Sequence, residues 1–226
     1  MSEHTKIKKE LKREEYNLIR YSNSSLIHEE IKSNVKSALK VLFKKYHLIR
    51  DSNSSLIHEQ IKSKVKLELK KILLRKYHAD GKYIGIYWPL KGEVDIRFLR
   101  EMANKKIALP SSSKSKGINY YQWSNNKLKL DSNRIPSPIE ENPINPNDIS
   151  ILFVPAIAID HDGYRLGYGG GYFDRLRQKD LWISIPSFVV ISSNCISKEP
   201  LPRDRWDLPF TGWISEKGLH QIKATK

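Results

Sequence analysis

The chain has 226 residues and is 39% hydrophobic, with five Trp and eleven Tyr, which argues against disorder and is enough for one or two domains with a buried core. One cysteine excludes an internal disulfide and a cysteine-based zinc site, and no apolar run approaches the roughly 20 residues of a membrane helix. Residues 1–12 lack the apolar segment of a secretory signal, so we expect a cytoplasmic protein without a membrane partner.

The formal net charge of +15 is concentrated near the N-terminus, where residues 1–77 hold 19 Lys or Arg against 9 Asp or Glu. Such a region suits a polyanion, either nucleic acid or a multiply charged small substrate. It equally suits a solvated, lysine-rich helix surface. No zinc-finger, RNA-recognition or helix-turn-helix pattern accompanies the charge, which makes nucleic acid the less favoured partner.

The same region contains a duplication, in which most of residues 18–33 recur thirty residues later at 48–63. Each copy predicts a helix, with Ser25 or Ser55 as its N-cap. In the second copy the apolar residues follow at three- and four-residue spacing, and this stripe comprises Ile57, Ile61, Val65, Leu69, Ile72 and Leu73. We predict a basic helical region over residues 1–80, joined to an α/β catalytic region over 81–226 in one overall domain.

After Gly81, apolar strands alternate with helical segments. The predicted strands are residues 83–88, 107–109, 119–123, 128–130, 149–159 with a break at Pro155, 182–191 and 212–214. The predicted helices are residues 95–103 and 172–179. Pro110 is expected to end the second strand, 119–130 to form a hairpin, and the proline-rich residues 135–148 to form a loop. This alternation predicts a three-layer α/β fold, with a mostly parallel sheet covered by helices on both faces.

Residues 160–175 form a glycine-rich segment between an apolar strand and a predicted helix. Glycines let backbone N–H groups approach an anion closely, and a helix N-terminus favours the same ligand. Arg165 is suited to bind phosphate, and Asp174 to bind a hard cation such as Mg²⁺. The segment has neither the Gly-Lys-Ser/Thr of a P-loop nor the third glycine of a dinucleotide-binding fingerprint, and a plain tight turn is the alternative reading.

Residues 165–175 closely resemble the signature Arg-Leu-Gly-x-Gly-x-Gly-Tyr-Tyr-Asp-Arg of the 5-formyltetrahydrofolate cyclo-ligases, also called 5,10-methenyltetrahydrofolate synthetases. The family's preceding Val-Pro stands here as Val154-Pro155. The resemblance continues at residues 84–93, 109–110 and 201–216, and it spans about residues 82–219 together with a short N-terminal piece.

The resemblance implies an ATP- and Mg²⁺-dependent reaction. The formyl oxygen of 5-formyltetrahydrofolate is phosphorylated, nitrogen 10 closes the ring, and phosphate leaves to give 5,10-methenyltetrahydrofolate. ATP is expected at Lys8, Lys12, Arg165, Leu166, Gly167, Tyr168, Gly169, Gly170, Gly171, Tyr172 and Phe173. The folate is expected at Trp88, Glu93, Tyr168, Gly169, Gly170, Gly171 and Tyr172. The resemblance assigns catalysis to Arg165 and Tyr172, and Mg²⁺ to Asp174 and Asp207.

Some positions depart from the family pattern. Lys8 and Lys12 stand for the family's Lys-x-x-Leu-Arg motif, with Lys9 and Arg13 as an alternative register. Phe173 replaces the second Tyr, and Ser137 stands where the family usually has Glu. Two rival hypotheses therefore stay open: a degenerate homologue that binds folate or ATP without turnover, and a basic nucleic-acid-binding protein. We expect a monomer, and the sequence leaves open whether the folate carries a polyglutamate tail.

Overall fold

The computed structural model describes residues 25–51, 55–75, 81–102, 105–113, 117–138, 142–204 and 206–222. The chain divides into two compact units, residues 1–48 and 49–226. Helix α1 (Ser25–Asp51) and helix α2 (Ser55–Arg75) begin at the two serines predicted as N-caps. That these helices arose by duplication stays a prediction from the sequence, since residues 18–24 and 52–54 lie outside the described residues.

Helix α2 is part of the larger unit and contributes one side of its core. Ile61, Val65, Leu69, Ile72 and Leu73 are at most 6% exposed and pack in one cluster with the strands of the sheet. Ile57, predicted to belong to the same stripe, is instead 42% exposed. The compact unit that contains the sheet begins at Ile49 and includes α2.

The remaining elements are short. In chain order the strands are β1 (Tyr83–Gly85), β2 (Lys106–Ser113), β3 (Gly117–Gln122), β4 (Lys129–Leu130), β5 (Pro136–Ser137), β6 (Ile149–Val154), β7 (Ala158–Asp160), β8 (Arg165–Leu166), β9 (Ser187–Val190), β10 (Ile196–Ser197), β11 (Gly212–Ser215) and β12 (Gly218–Gln221). Helices α3 (Tyr172–Arg177) and α4 (Asp180–Ile183) lie between β8 and β9. Three 3-10 turns complete the described elements: Arg97–Glu101, Pro146–Asp148 and Ser193–Cys195.

The main sheet has seven strands in the order β12-β11-β9-β6-β1-β2-β3. Its five central strands are parallel, and β3 and β12 are antiparallel strands at the two edges. The predicted mixed α/β fold with a mostly parallel sheet is therefore confirmed. The carboxyl ends of β1, β2 and β6 lie at the same edge of this sheet, which is where ligands bind in open parallel sheets.

The two faces of the sheet are covered by different helices. Successive strand residues point to opposite faces, so neighbouring residues of β1 show what covers each one. Ile84 packs in the cluster that contains the α2 side chains. Its neighbour Gly85 faces the other way, where a Cβ would lie 2.4 Å from Leu152 and 2.9 Å from the Tyr120 ring. The Tyr120 ring in turn lies 5.8 Å from the ring of Trp182 in α4.

Three predictions about the first strands are wrong in their extent. The strand predicted over residues 83–88 ends at Gly85, and the helix predicted over 95–103 is a 3-10 turn over Arg97–Glu101. Strand β2 continues through Pro110, because alternate residues of β2 direct their backbone groups away from β3. Here Ala108 accepts from Ile86 N–H and Pro110 accepts from the Ser137 hydroxyl, so the missing N–H of proline removes no bond between β2 and β3.

The later strands also differ in part from the prediction. The hairpin over 119–130 is wrong, since β3 pairs with β2 and β4 pairs with β5, which lies in the predicted loop. Residues 182–191 form the end of α4 and then β9 rather than one strand. The break at Pro155 is confirmed, because β6 belongs to the main sheet and β7 to a second sheet with β8 and β10. The last predicted strand is confirmed as β11.

Neither long helix, nor any other helix in the described part of the chain, combines the length and apolar character needed to cross a membrane.

Candidate active site

A cavity of about 290 Å³ opens at the carboxyl ends of β1, β2 and β6. Eight of the predicted site residues line it, namely Trp88, Glu93, Arg165, Tyr168, Gly170, Gly171, Tyr172 and Phe173. The other described site residues, Leu166, Gly167, Gly169, Asp174 and Asp207, are outside this lining. The fold thus brings together two segments that are about seventy residues apart in sequence, as the resemblance implies.

The turn that leads into the glycine loop is fixed by the buried carboxylate of Asp160. One oxygen accepts the N–H groups of Asp162 and Tyr164, and the other accepts that of Leu201. Gly163 adopts φ +88°, and a Cβ there would lie 2.9 Å from the Phe210 carbonyl oxygen. This rigid turn delivers Arg165 to the cavity at the start of β8.

The glycine loop itself runs from Gly167 to Gly171. Gly171 has φ +60° at the N-terminus of α3, a left-handed backbone conformation that favours glycine. The Arg175 guanidinium donates to the Gly170 carbonyl at 2.7 Å and lies over the Tyr172 ring, which braces the loop. Helix α3 has six residues, so its dipole is weaker than a long helix would provide.

Arg165 and Asp174 form an ion pair behind the loop. The guanidinium donates to both carboxylate oxygens, at 3.1 and 3.0 Å, and to the Pro155 carbonyl at 2.8 Å. The Arg165 side chain is 4% exposed, and its guanidinium also lies 5.1 Å from the Phe173 ring. The residues predicted to bind phosphate and Mg²⁺ therefore bind each other in this state, which fixes the position of the guanidinium at the cavity wall.

Asp207 lies in a segment held against α3 by Arg177. The buried guanidinium of Arg177 donates to the carbonyls of Leu208 and Pro209 at 3.0 and 2.8 Å, and burial lowers its pKa to about 10. Asp207 accepts the N–H of Asp204 at 2.8 Å. Burial raises the pKa of the Asp207 carboxyl, and the negative charge of Asp174 raises it further. The two predicted metal ligands are thus close enough to repel each other.

Glu93 lies in the segment after β1 and provides the carboxylate of that wall of the cavity. The Tyr168 hydroxyl donates to Oε1 at 2.6 Å, and the Leu90 N–H donates to Oε2 at 2.7 Å. Burial raises the pKa of the Glu93 carboxyl, and these bonds, with the guanidinium groups of Arg50 and Arg165, act against that rise. Burial also raises the pKa of Tyr168 well above its usual range, so this phenol remains a hydrogen-bond donor.

Trp88 provides an aromatic wall of the cavity and is held from behind. The Arg97 guanidinium lies 4.5 Å from its ring, and the Trp123 ring meets it edge-on at 5.9 Å. Arg97 is itself fixed by two bonds to the Asp95 carboxylate, at 2.9 and 2.8 Å. Such a wall suits a flat, conjugated ring system.

Sequence reasoning missed a polar corner of the cavity, formed by Ser112, Asp131 and Asn133. Asp131 Oδ2 accepts both the N–H and the hydroxyl of Ser112, at 2.9 and 2.7 Å. The Asn133 side-chain amide donates to the same hydroxyl at 2.7 Å. The Asp-Ser-Asn turn was the available signal, but predicting a hairpin across residues 119–130 concealed that Asp131 contacts β2.

The departures from the family pattern have clear positions where the structure describes them. The Phe173 ring lines the cavity against Arg165. Ser137 is fully buried, and its hydroxyl oxygen lies 3.1 Å from both the Pro110 and the Ile135 carbonyl oxygens, so a neutral group that faces the main chain stands at the position of the family's Glu. Lys8 and Lys12, with the alternative pair Lys9 and Arg13, lie outside the described residues. In the part of the chain that is described, no three His, Cys, Asp or Glu side chains cluster as a ready-made metal site.

Comparison with known proteins agrees with this geometry. A sequence model of the 5-formyltetrahydrofolate cyclo-ligase family matches residues 32–215. The chain is 31% identical to the 5-formyltetrahydrofolate cyclo-ligase of Haemophilus influenzae, across 57% of this chain and 73% of that protein. It is 29% identical to the Escherichia coli K12 enzyme of the same name, across 58% and 76%.

A solved structure, the 5,10-methenyltetrahydrofolate synthetase of Aquifex aeolicus, is similar with a TM-score of 0.68 at 29% identity, covering 83% of this chain and 94% of that one. A second synthetase structure, from Mycoplasma pneumoniae, has the same fold with a TM-score of 0.64 at 23% identity, covering 79% and 98%. The matched range includes α2, six of the seven strands of the main sheet and every described site residue, and the chain belongs to the 5-formyltetrahydrofolate cyclo-ligase family.

Proposed function

We propose that this protein catalyses the ATP-dependent cyclisation of 5-formyltetrahydrofolate to 5,10-methenyltetrahydrofolate, with release of ADP and phosphate. The observation that carries the proposal is the single cavity in which Glu93 and Trp88, which follow β1, face Arg165 and the glycine loop. One wall offers a carboxylate and an aromatic ring for a pterin. The other offers a guanidinium and backbone N–H groups for transferring phosphate.

In the proposed reaction, the formyl oxygen attacks the γ-phosphorus of ATP, and the bond to the bridging oxygen breaks to release ADP. Nitrogen 10 then attacks the activated formyl carbon and releases its proton, and the phosphorylated oxygen leaves as phosphate. A phosphoryl transfer of this kind requires alignment and charge stabilisation rather than a protein nucleophile. Arg165 is suited to that role, because its ion pair and the Pro155 carbonyl hold the guanidinium in one orientation. Tyr172, on the same loop, lines the cavity beside it.

Glu93 is the candidate group for recognising the pterin. A carboxylate accepts paired hydrogen bonds from neighbouring ring N–H groups, and each Glu93 oxygen retains acceptor capacity beyond the one bond that it receives from Tyr168 or Leu90. Trp88 would stack on the ring system from one side. Glu93 and Trp88 would thereby orient the formyl group towards the glycine loop.

We propose that Mg²⁺ binds with ATP beside Asp207 and Asp174. The residues fit this ion: the charge of Asp174 raises the pKa of Asp207, so a cation here would relieve their repulsion, and Mg²⁺ in phosphate sites takes one or two carboxylates. When bound, the ion supplies neutralising charge for the transferring phosphate. Asp207 would provide the more accessible carboxylate, since Asp174 is paired with Arg165.

The N-terminal cations for ATP are better assigned to a pair of lysines in helix α1. The family-matched range starts at residue 32 and so leaves out Lys8 and Lys12. Within it, Lys36-Ser-Ala-Leu39-Lys40 repeats the Lys-x-x-Leu-Lys pattern of residues 8–12. Both lysines are exposed on α1 and share one face at i, i+4 spacing. We therefore propose that Lys36 and Lys40, rather than Lys8 and Lys12, correspond to the family's ATP-binding lysine motif. A monomeric state, a cytoplasmic location and a polyglutamate tail on the folate remain expectations from the sequence.

A direct assay tests the proposal. The protein is mixed with 5-formyltetrahydrofolate, ATP and Mg²⁺, and the near-ultraviolet absorbance of the methenyl product is followed, with controls that omit ATP or add a chelator. We expect product to form only when ATP and metal are both present. Folate binding without turnover would instead identify a degenerate homologue.

A further inference from the structure

Arg50 is connected by hydrogen bonds through Tyr168 to Glu93, on the proposed folate side of the cavity. Arg50 stands at the C-terminal end of α1 and is 6% exposed. Its Nη1 donates to the Tyr168 hydroxyl, and the Tyr168 hydroxyl donates to Glu93 Oε1 at 2.6 Å. The order of this chain is fixed by chemistry, because a guanidinium has no acceptor. The phenol must therefore accept from Arg50, which leaves its one proton for Glu93.

Both oxygens of Glu93 are restrained, because the Leu90 N–H holds Oε2 at 2.7 Å. The loop between Leu90 and Glu93 is also shaped around Arg50. Gly92 adopts φ +79°, and a Cβ there would lie 2.7 Å from the Arg50 Nε atom. Arg50 thus aligns Tyr168 and also lies close to the backbone next to Glu93.

We propose that Arg50 is a positioning residue for the cyclo-ligase reaction, which acts through Tyr168 to hold the Glu93 carboxylate in the orientation that binds the folate ring. The inference rests on the proposed function in one respect, the assignment of Glu93 to the folate. It adds an anchor that the signature motif does not contain, since Tyr168 occupies one of the two variable positions of the motif and Arg50 lies 118 residues before it.

The charges around Glu93 support this role. Tyr168, Arg50 and Arg165 face the carboxyl group and lower its pKa against the effect of burial, and the buried phenol of Tyr87 is close enough for the Glu93 charge to raise the Tyr87 pKa. If Arg50 or the Tyr168 hydroxyl is removed, burial dominates and Glu93 protonates at higher pH. A protonated carboxyl cannot accept the paired N–H groups of a pterin.

The test compares Tyr168→Phe, Arg50→Met, their double variant and Arg203→Met. Arg203→Met is the matched control, because Arg203 pairs with Asp162 and stacks on Tyr164 away from the cavity lining. For Tyr168→Phe and Arg50→Met, we expect kcat/KM for 5-formyltetrahydrofolate to fall about fivefold at pH 6 and less at pH 8, while KM for ATP stays within about twofold. Because both act through one chain, the double variant should lose no more than the more impaired single variant.

Additive losses in the double variant, or equal changes in KM for folate and ATP, would overturn the proposal. Tyr168→Phe keeps the ring and removes only the hydroxyl, so it decides the outcome if Arg50→Met fails to fold. An NMR titration of ¹³C-labelled glutamate carboxyl groups, with the Glu93 signal assigned through Glu93→Gln, provides a readout that needs no turnover. A higher Glu93 pKa in Tyr168→Phe supports the positioning role even if the wild-type protein proves inactive, and an unchanged Glu93 pKa in an active protein contradicts it.

Discussion

The cavity contains two charged clusters that are held in different ways. Arg165 and Asp174 bind each other through two hydrogen bonds, so their charges are compensated within the protein. Glu93 is held by a phenol and a main-chain N–H, with Arg50 one step further away, so its negative charge faces the cavity without a directly bonded cation. The difference suggests that the ion pair forms the rigid frame of the glycine loop, whereas Glu93 is available to recognise the substrate.

Breaking the ion pair should have the largest effect. Arg165→Met leaves Asp174 without its partner in a largely buried position, and we expect a loss of about 3 kcal/mol in the free energy of unfolding together with turnover below detection. Urea unfolding and the absorbance assay measure the two effects. Arg175→Met, at an exposed position, is the control and should lose much less stability. Full activity in a folded Arg165→Met protein would remove Arg165 from the mechanism.

Removing the charge of Glu93 tests the recognition cluster. Glu93→Gln keeps the shape and the bond from the Leu90 N–H, but it cannot accept paired N–H groups as a carboxylate does. We expect KM for 5-formyltetrahydrofolate to rise by roughly a hundredfold, with KM for ATP little changed. If the two KM values rose together, Glu93 would have a structural role in the whole cavity rather than a role in folate binding.

The stability of the same variant should depend on pH differently from that of the wild type. Burial raises the pKa of Glu93 in the folded state, so the folded protein prefers the protonated form, and stability is lost as pH rises through that raised pKa. Glu93→Gln removes this loss. The free energy of unfolding of Glu93→Gln, measured relative to that of the wild type, should therefore increase as pH rises from 4 to 8. A constant difference across this range would contradict the raised pKa.

The N-terminal lysines offer a comparison between two Lys-x-x-Leu-Lys pairs, Lys8/Lys12 and Lys36/Lys40. We expect Lys36→Ala/Lys40→Ala to raise KM for ATP by about tenfold, because two cations for the phosphates are lost. Lys8→Ala/Lys12→Ala should leave KM for ATP unchanged. The opposite result would assign ATP binding to Lys8 and Lys12 and exclude our assignment.

The sequence predicted the parts of the fold in which hydrophobic patterning is long enough to be read. The buried stripe of α2, the apolar strand β6 and the start of α3 at Tyr172 are where the pattern places them. The two-residue strands β4, β5, β8 and β10 are too short to produce any periodicity. The prediction ended this strand at Pro110, because the sequence does not show whether the N–H that proline lacks would face a neighbouring strand. In the structure β2 continues to Ser113.

The resemblance predicted which residues belong to the site, but it did not predict which of them contact each other. The motif identified Arg165 and Asp174, but only folding shows that these residues, nine positions apart, bind each other. The contact between Arg50 and Tyr168 spans 118 residues, and no local pattern indicates it. A contact of this range depends on tertiary packing between Arg50, the Glu93 loop and the glycine loop.

Oxygen transfer tests the central claim most directly. 5-Formyltetrahydrofolate labelled with ¹⁸O in the formyl group is incubated with the protein, ATP and Mg²⁺, and the released phosphate is analysed by mass spectrometry. If ATP phosphorylates the formyl oxygen, each phosphate released with the methenyl product carries one ¹⁸O atom. Methenyl product accompanied by unlabelled phosphate would contradict the account, because the formyl oxygen would then have left without passing through a phosphate ester.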